Sequence, residues 1–135
     1  GKNNVIVICA EIENQIIELD PKDRKYFIIE SGIRETGLDL LIKTGYKILK
    51  LITFFTSTHK ETRAWTISKQ CKAIKAAGLI HSDFEKGFIK AETISYDDFV
   101  FYKGYNEAKN TGKLRLEGKD YIVKDGEILY FRFST

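Results

Sequence analysis

The sequence predicts an α+β fold in two unequal parts, on three observations. A continuous apolar, β-branched run, Val5-Ile6-Val7-Ile8-Cys9-Ala10, opens the chain and leads into three segments of helical spacing. At Leu51 the period changes to that of strands. Near the end, Asp125-Gly126 stands between two β-prone runs, a strong hairpin signal.

In the first part, an unbroken run such as Val5–Ala10 is the pattern of a strand buried on both faces, as in a parallel sheet. Ile12, Ile16, Ile17 and Leu19 then recur at helical spacing, and Asp20-Pro21 stops that helix because a residue before proline leaves the α region. Pro21 suits a first helical turn, with Asp20 as its cap and Tyr26, Phe27 and Ile29 following. Leu38–Leu49 forms a third helix with Leu38, Leu41, Ile42, Gly45, Ile48 and Leu49 on one face. One strand cannot make a sheet. Residues 1–48 are therefore expected to be the tail of an α/β domain, or else a small helical lead-in.

In the second part, residues 49–135, Leu51–Thr56 and Arg63–Ser68 flank the polar segment 57–62 and read as a hairpin. Residues 72–86 read as helical with a break at Gly78, and Ser82 with Glu85 forms a capping box for a fresh turn. Phe88–Ile94 is a strand with Phe88, Lys90, Glu92 and Ile94 on one side. Ser95, followed by Asp98, caps a short aromatic helix closed by Gly104, and residues 104–112 read as a loop with a helical turn. Tyr121–Val123 and Ile128–Phe133 make the last hairpin, with Leu129, Phe131 and Phe133 toward the core and Ile128, Tyr130 and Arg132 away from it. Hairpin, helix, strand, short helix and hairpin suit one helix crossing a small mixed sheet. That is a β-grasp arrangement, and other small α+β packings use the same string.

Composition excludes several classes. The 135 residues are 43% hydrophobic and 13% aromatic, enough to bury a core and exclude disorder. A membrane span needs about 18 apolar residues, and Val5–Ala10 is far shorter. With no methionine and Gly1 first, the chain is expected to be a cut or processed form. Two cysteines, Cys9 and Cys71, are too few for a disulfide framework or a zinc site and are expected to be reduced thiols in the cytoplasm. No phosphate-binding loop, dinucleotide turn, zinc-protease helix or nucleophile elbow occurs, so no catalytic or metal-binding residue is assigned. His59 and His81 read as structural, and Asp97 and Asp98 as a helix-start pair.

The first fifty residues carry equal numbers of acids and bases, so the net charge of +3 lies entirely in residues 51–135. Lys60, Arg63, Lys69, Lys72 and Lys75 stand there against Glu61 alone in residues 60–75. Clustered cations beside aromatics can hold a phosphate backbone and stack bases; an ordinary solvated face is the plainer reading.

Arg63-Ala64-Trp65-Thr66-Ile67 and the run Ala76-Ala77-Gly78-Leu79-Ile80-His81-Ser82-Asp83-Phe84-Glu85-Lys86-Gly87-Phe88-Ile89-Lys90-Ala91-Glu92 carry a resemblance that continues through Ile94–Phe99, Leu116–Val123, Asp125-Gly126 and Phe131–Phe133, with Gly37-Leu38-Asp39 earlier. These stretches resemble the C-terminal part of the YchF-type Obg-like ATPases, also called EngD. The resemblance implies that residues 49–135 are a TGS domain, a β-grasp module, and that residues 1–48 are the last strand and closing helices of a P-loop nucleotide-binding domain. It implies a cytoplasmic, redox- and translation-linked parent protein that binds ribosomes and hydrolyses ATP in preference to GTP with Mg²⁺. The parent's phosphate loop, metal ligands and adenine-selecting segment would lie upstream of Gly1, so the 135 residues themselves would carry no cofactor and no catalysis. Cys9-Ala10 matches a loop that approaches the base. Glu11 stands where the family often has lysine, leaving a backbone contact, and Ile74 stands where relatives often have proline. The five cations would then meet ribosomal RNA or protein. In the alternative the module regulates its own nucleotide domain and binds no RNA.

Overall fold

A computed structural model describes residues 5–134, so the outermost residues of the predicted 1–48 and 49–135 segments lie outside it. The chain divides into two compact units between Leu49 and Lys50.

The first unit holds α1 (Ala10–Glu18), α2 (Pro21–Glu30) and α3 (Gly37–Ile48). The Asp20 carboxylate accepts from the Lys22 N–H at 3.0 Å with Pro21 in the first turn, as predicted. Arg24 reaches back and donates to the carbonyls of Leu19 and Ile17, satisfying acceptors that the end of α1 leaves open. Gly37 N–H donates to Glu13 Oε1 at 2.6 Å. A Cβ at Gly37 would lie 2.7 Å from Ile8 Cγ2, so only glycine lets Ile8 approach α3. The predicted Val5–Ala10 strand is not formed: Val5–Cys9 pairs with no strand among the described residues, and Ala10 already belongs to α1. A strand exists only through a neighbour's hydrogen bonds, and without one Val7 stays 88% exposed.

The second unit is a five-stranded sheet of β1 (Leu51–Ser57), β2 (Thr62–Ser68), β3 (Phe88–Ile94), β4 (Arg115–Glu117) and β5 (Ile128–Phe133), in the order β2-β1-β5-β3-β4. The central β1–β5 pair is parallel and the others antiparallel. This is a β-grasp sheet. α4 (Ala73–Ile80) and α5 (Ser82–Lys86) cover one face, and α6 (Tyr96–Phe101) and α7 (Tyr105–Asn110) follow β3. Ala73, Ala76 and Ala77 are fully buried, so α4 lies close on a core of Ile52, Phe54, Ile67, Ala91, Val123 and Leu129. Phe54 stacks on Trp65 at 6.4 Å and meets Phe131 edge-on at 6.2 Å.

Local chemistry redraws several expected boundaries. The helix breaks at His81, not Gly78, and His81 Nδ1 rather than Ser82 caps α5 by accepting from the Asp83 N–H. Gly78 lies inside α4, with the end of the Glu85 side chain packed over the position a Cβ would take. A bulge between Phe88 and Lys90 leaves Ile89 59% exposed and turns Phe88 onto the α4 face, against Phe131, opposite to the expected alternation. Tyr121–Val123 does not pair with β5, whose two edges are taken by β1 and β3. It pairs with the segment before α4 instead, through Ala73 N–H to the Tyr121 carbonyl and Val123 N–H to the Cys71 carbonyl. The Asp125-Gly126 turn docks on β1: Asp125 Oδ1 accepts from Thr53 N–H and Gly126 N–H donates to the Thr53 carbonyl, both at 2.8 Å. The Ser95–Asp98 cap forms as expected, with Ser95 Oγ accepting from the Asp98 N–H.

Two backbone positions give measurable consequences. A Cβ on Gly87 would fall 1.9 Å from the Ser134 carbonyl oxygen, a backbone atom held by the Ser134 N–H bond to Gly87. Gly87→Ala is expected to cost about 1–3 kcal/mol in urea denaturation by forcing β5 away from β3. Lys103 follows α6 with φ of 58°, where glycine carries no Cβ penalty. Lys103→Gly is expected to stabilise by about 0.5–1 kcal/mol in the same measurement, the relieved strain outweighing added chain entropy.

Candidate nucleic-acid interface

The five cations clustered in sequence separate in space. Lys60 lies in the β1–β2 loop, where Thr58 Oγ1 accepts from the N–H groups of Lys60 and Glu61. Lys69 lies beyond the other end of β2, its N–H bonded to the Lys50 carbonyl at 2.8 Å. At about 3.3 Å per residue, β2 puts about 20 Å between the two ends. Three of the five are already paired: Arg63 with Glu61 at 3.0 Å, Lys72 with Asp120 at 2.8 Å, and Lys75 with Glu85. The Lys72 bond holds the Asp120 carboxyl below the usual range, and the Glu85 bond raises the Lys75 ammonium. Among the described residues, Lys60 and Lys69 make no ion pair.

Sequence reasoning passed over a second group at the loop end. β1 and β5 share one registered pair, Phe55↔Ile128, near the end of β1. Two clefts, of ≈ 340 and ≈ 530 Å³, lie at this end of the sheet, and Ser57, Thr58, Tyr130 and Arg132 line both. Trp65 and Arg63 line the first. His59, Lys103, Tyr105 and Glu107 line the second. The alternation along β5 already placed Tyr130 and Arg132 off the helical core; nothing in the sequence showed that α6 and α7 would bring Lys103 and Tyr105 to them.

Glu92 on β3 anchors this wall. It is 8% exposed, and its Oε2 accepts from Arg132 Nε at 3.0 Å, Arg132 Nη2 at 2.8 Å and the Tyr105 hydroxyl at 2.8 Å. Burial opposes ionisation of Glu92, yet the bonds from Arg132 and Tyr105 with the nearby charges of Arg132 and Lys90 outweigh it and hold the carboxyl below its ordinary range. A second buried carboxylate, Glu127, accepts from Arg115, from the Tyr121 hydroxyl at 2.6 Å and from Lys124 N–H at 2.9 Å. Burial and this carboxylate push the Tyr121 phenol up to about 12. That cluster fixes the segment leading into β5.

Cys9 and Ala10 stand at the start of α1, both exposed; the Cys9 carbonyl accepts from Glu13 N–H at 3.1 Å. Glu11 Oε1 accepts from Gln15 at 3.3 Å. Among the described residues no group of three or more His, Cys, Asp or Glu side chains could hold a metal ion, and no helix is long and apolar enough to cross a membrane.

Because the Glu92 carboxyl is lowered in the fold, its contribution is present above the unfolded carboxylate range and is lost as pH falls through the folded value. Glu92→Gln is expected to cost about 2 kcal/mol at pH 7, with Arg132 left half-satisfied. The gap to the wild type should shrink as pH drops from 5 toward 3, read by thermal melts across that range.

Comparison with known proteins identifies the family. A family model, YchF-GTPase_C, described as a protein of unknown function (DUF933), matches residues 51–134, more than half the chain. "Ribosome-binding ATPase YchF" of Bacillus subtilis is 52% identical across the whole chain, and the protein of that name from Escherichia coli O157:H7 is 54% identical over 97% of it. The chain spans only 37% and 36% of those relatives' lengths. The solved Schizosaccharomyces pombe YchF GTPase superposes with a TM-score of 0.82 at 34% identity, covering 93% of this chain and 33% of that one. A GTP binding protein from Pyrococcus horikoshii OT3, 19% identical with a TM-score of 0.54 over 78% of this chain and 28% of its own, shares the fold. The resemblance read from the motifs therefore holds, and the chain belongs to the YchF-GTPase_C family.

Proposed function

We propose that this chain is the ribosome-binding C-terminal module of a cytoplasmic YchF-type ATPase and does no chemistry itself. The observation that carries the proposal is the identity of 52–54% over nearly all of its length to proteins named for ribosome binding. In the intact protein, residues 1–48 would close a nucleotide-binding domain that takes ATP in preference to GTP with Mg²⁺. Cys9 and Ala10 would approach the base there through backbone.

Of the five cations, Lys60 and Lys69 are the two that no carboxylate among the described residues neutralises, and they stand about 20 Å apart, far enough to touch separate phosphates. Arg63, Lys72 and Lys75 would join by exchanging their carboxylate for phosphate. Each contact releases counterions, so affinity should fall steeply with salt. Co-sedimentation with ribosomes between 50 and 200 mM salt tests this. Lys60→Glu with Lys69→Glu is expected to cost at least about tenfold and to flatten the salt slope by about two, more than Lys72→Glu with Lys75→Glu. Wild-type binding in both double variants, with the salt slope unchanged, would leave the cations without a role.

A second reading, regulation of the parent's own nucleotide domain, is favoured by α6, where Tyr96 is 55%, Val100 55% and Phe101 76% exposed. Under it, Phe101→Glu in the full-length protein should change ATP turnover without ribosomes. Unchanged turnover would remove this reading.

A further inference from the structure

The ≈ 530 Å³ cleft between the β1–β2 loop, α7 and β5 is not used by phosphate contacts at Lys60 and Lys69, and its size is that of a small-ligand site. Its wall combines cations with stacking surfaces. Tyr105 and Tyr130 meet edge to face at 4.7 Å, and Lys109 stands 5.9 Å from the Tyr105 ring. His59, Lys103 and Arg132 line the same cleft. Glu92 holds Arg132 through Nε and Nη2, leaving Nη1 without a protein partner among the described residues. Lys103 occupies a left-handed position that glycine would fill at lower cost, so a charge is kept on this wall against the local preference. Asn106 and Glu107, the sole carboxylate among the lining residues, add an amide and an acceptor suited to a base edge.

We propose that this cleft takes one unstacked nucleotide of single-stranded RNA, its phosphate on Lys103, His59 and Arg132 and its base against Tyr105 and Tyr130. The inference rests on the ribosome-binding reading and names the ligand of one part of that surface. An acidic peptide would satisfy the cations and leave the paired rings unused, whereas every base presents a face to an aromatic.

The test uses the 135-residue chain and a fluorescein-labelled hexa-adenylate RNA, read by anisotropy over a salt series. Tyr105→Leu is expected to weaken binding by about tenfold with an unchanged salt slope, since stacking releases no counterion. Lys103→Gly is expected to weaken binding and lower the slope by about one while raising the melting temperature, so unfolding cannot account for its effect. Wild-type affinity in both variants overturns the proposal. Ribosome co-sedimentation of the same proteins separates the two levels. Ribosome binding with no RNA binding overturns the cleft and leaves the ribosome-binding reading standing, whereas loss of both in the wild type overturns both. A cleft variant that loses ribosomes in a chain that never binds the RNA makes the occupant a protein segment, which also overturns the proposal.

Discussion

The parallel pairing of β1 with β5 is the constraint on which the second unit depends. β5 lies in mid-sheet, so both its edges must be satisfied, and its β1 neighbour is reached only after the chain has made every other element. The clamp is the Asp125-Gly126 turn, seventy-two residues from Thr53 along the chain and bonded to it on both sides of one residue. Phe55 N–H adds a bond to the Glu127 carbonyl at 2.8 Å. Glu127's side chain meanwhile gathers Arg115, Tyr121 and Lys124, so the segment that must arrive at β1 arrives already shaped.

Beyond the clamp, the α4–α5 core on one face and the Glu92 cluster on the other hold β5 to β3. The clefts lie beside this held part of β5, so their walls are stiff where ligands would need them to be. Arg132 shows the principle: a long flexible side chain becomes a fixed fork once a buried carboxylate takes two of its donors.

Most helices and the long strands were legible because each carries a local signal: Asp20-Pro21, Ser95 with Asp98, and the β-prone run Leu51–Thr56. What was not legible depended on partners. The Val5–Cys9 run has the composition of a buried strand and forms none, since composition does not supply a neighbour. Asp125-Gly126 did mark a turn, yet which strands it joined followed from the occupied edges of β5. Three-residue β4 is too short to show a period, and the bulge at Ile89 reverses the face of Phe88 without any glycine to announce it. The site divides the same way. Five cations were visible as a run of charge, whereas Glu92 of β3, Lys103 of the α6–α7 connection, Tyr105 of α7 and Arg132 of β5 converge only in the folded sheet.

That contrast bears on what a basic segment means. Lys72 and Lys75 stand in the densest stretch of positive sequence, yet each spends its charge on a carboxylate of its own unit. Exposed pairs of this kind add little stability, because solvent screens them and ordering two long side chains costs entropy. They do lower the local potential that a phosphate would feel. Lys103 is the converse case, isolated in sequence, strained in backbone and placed on a cleft wall with two phenol rings. A charge that adds nothing to the fold and costs backbone strain is a stronger pointer to a ligand than a longer run of lysines already neutralised at home.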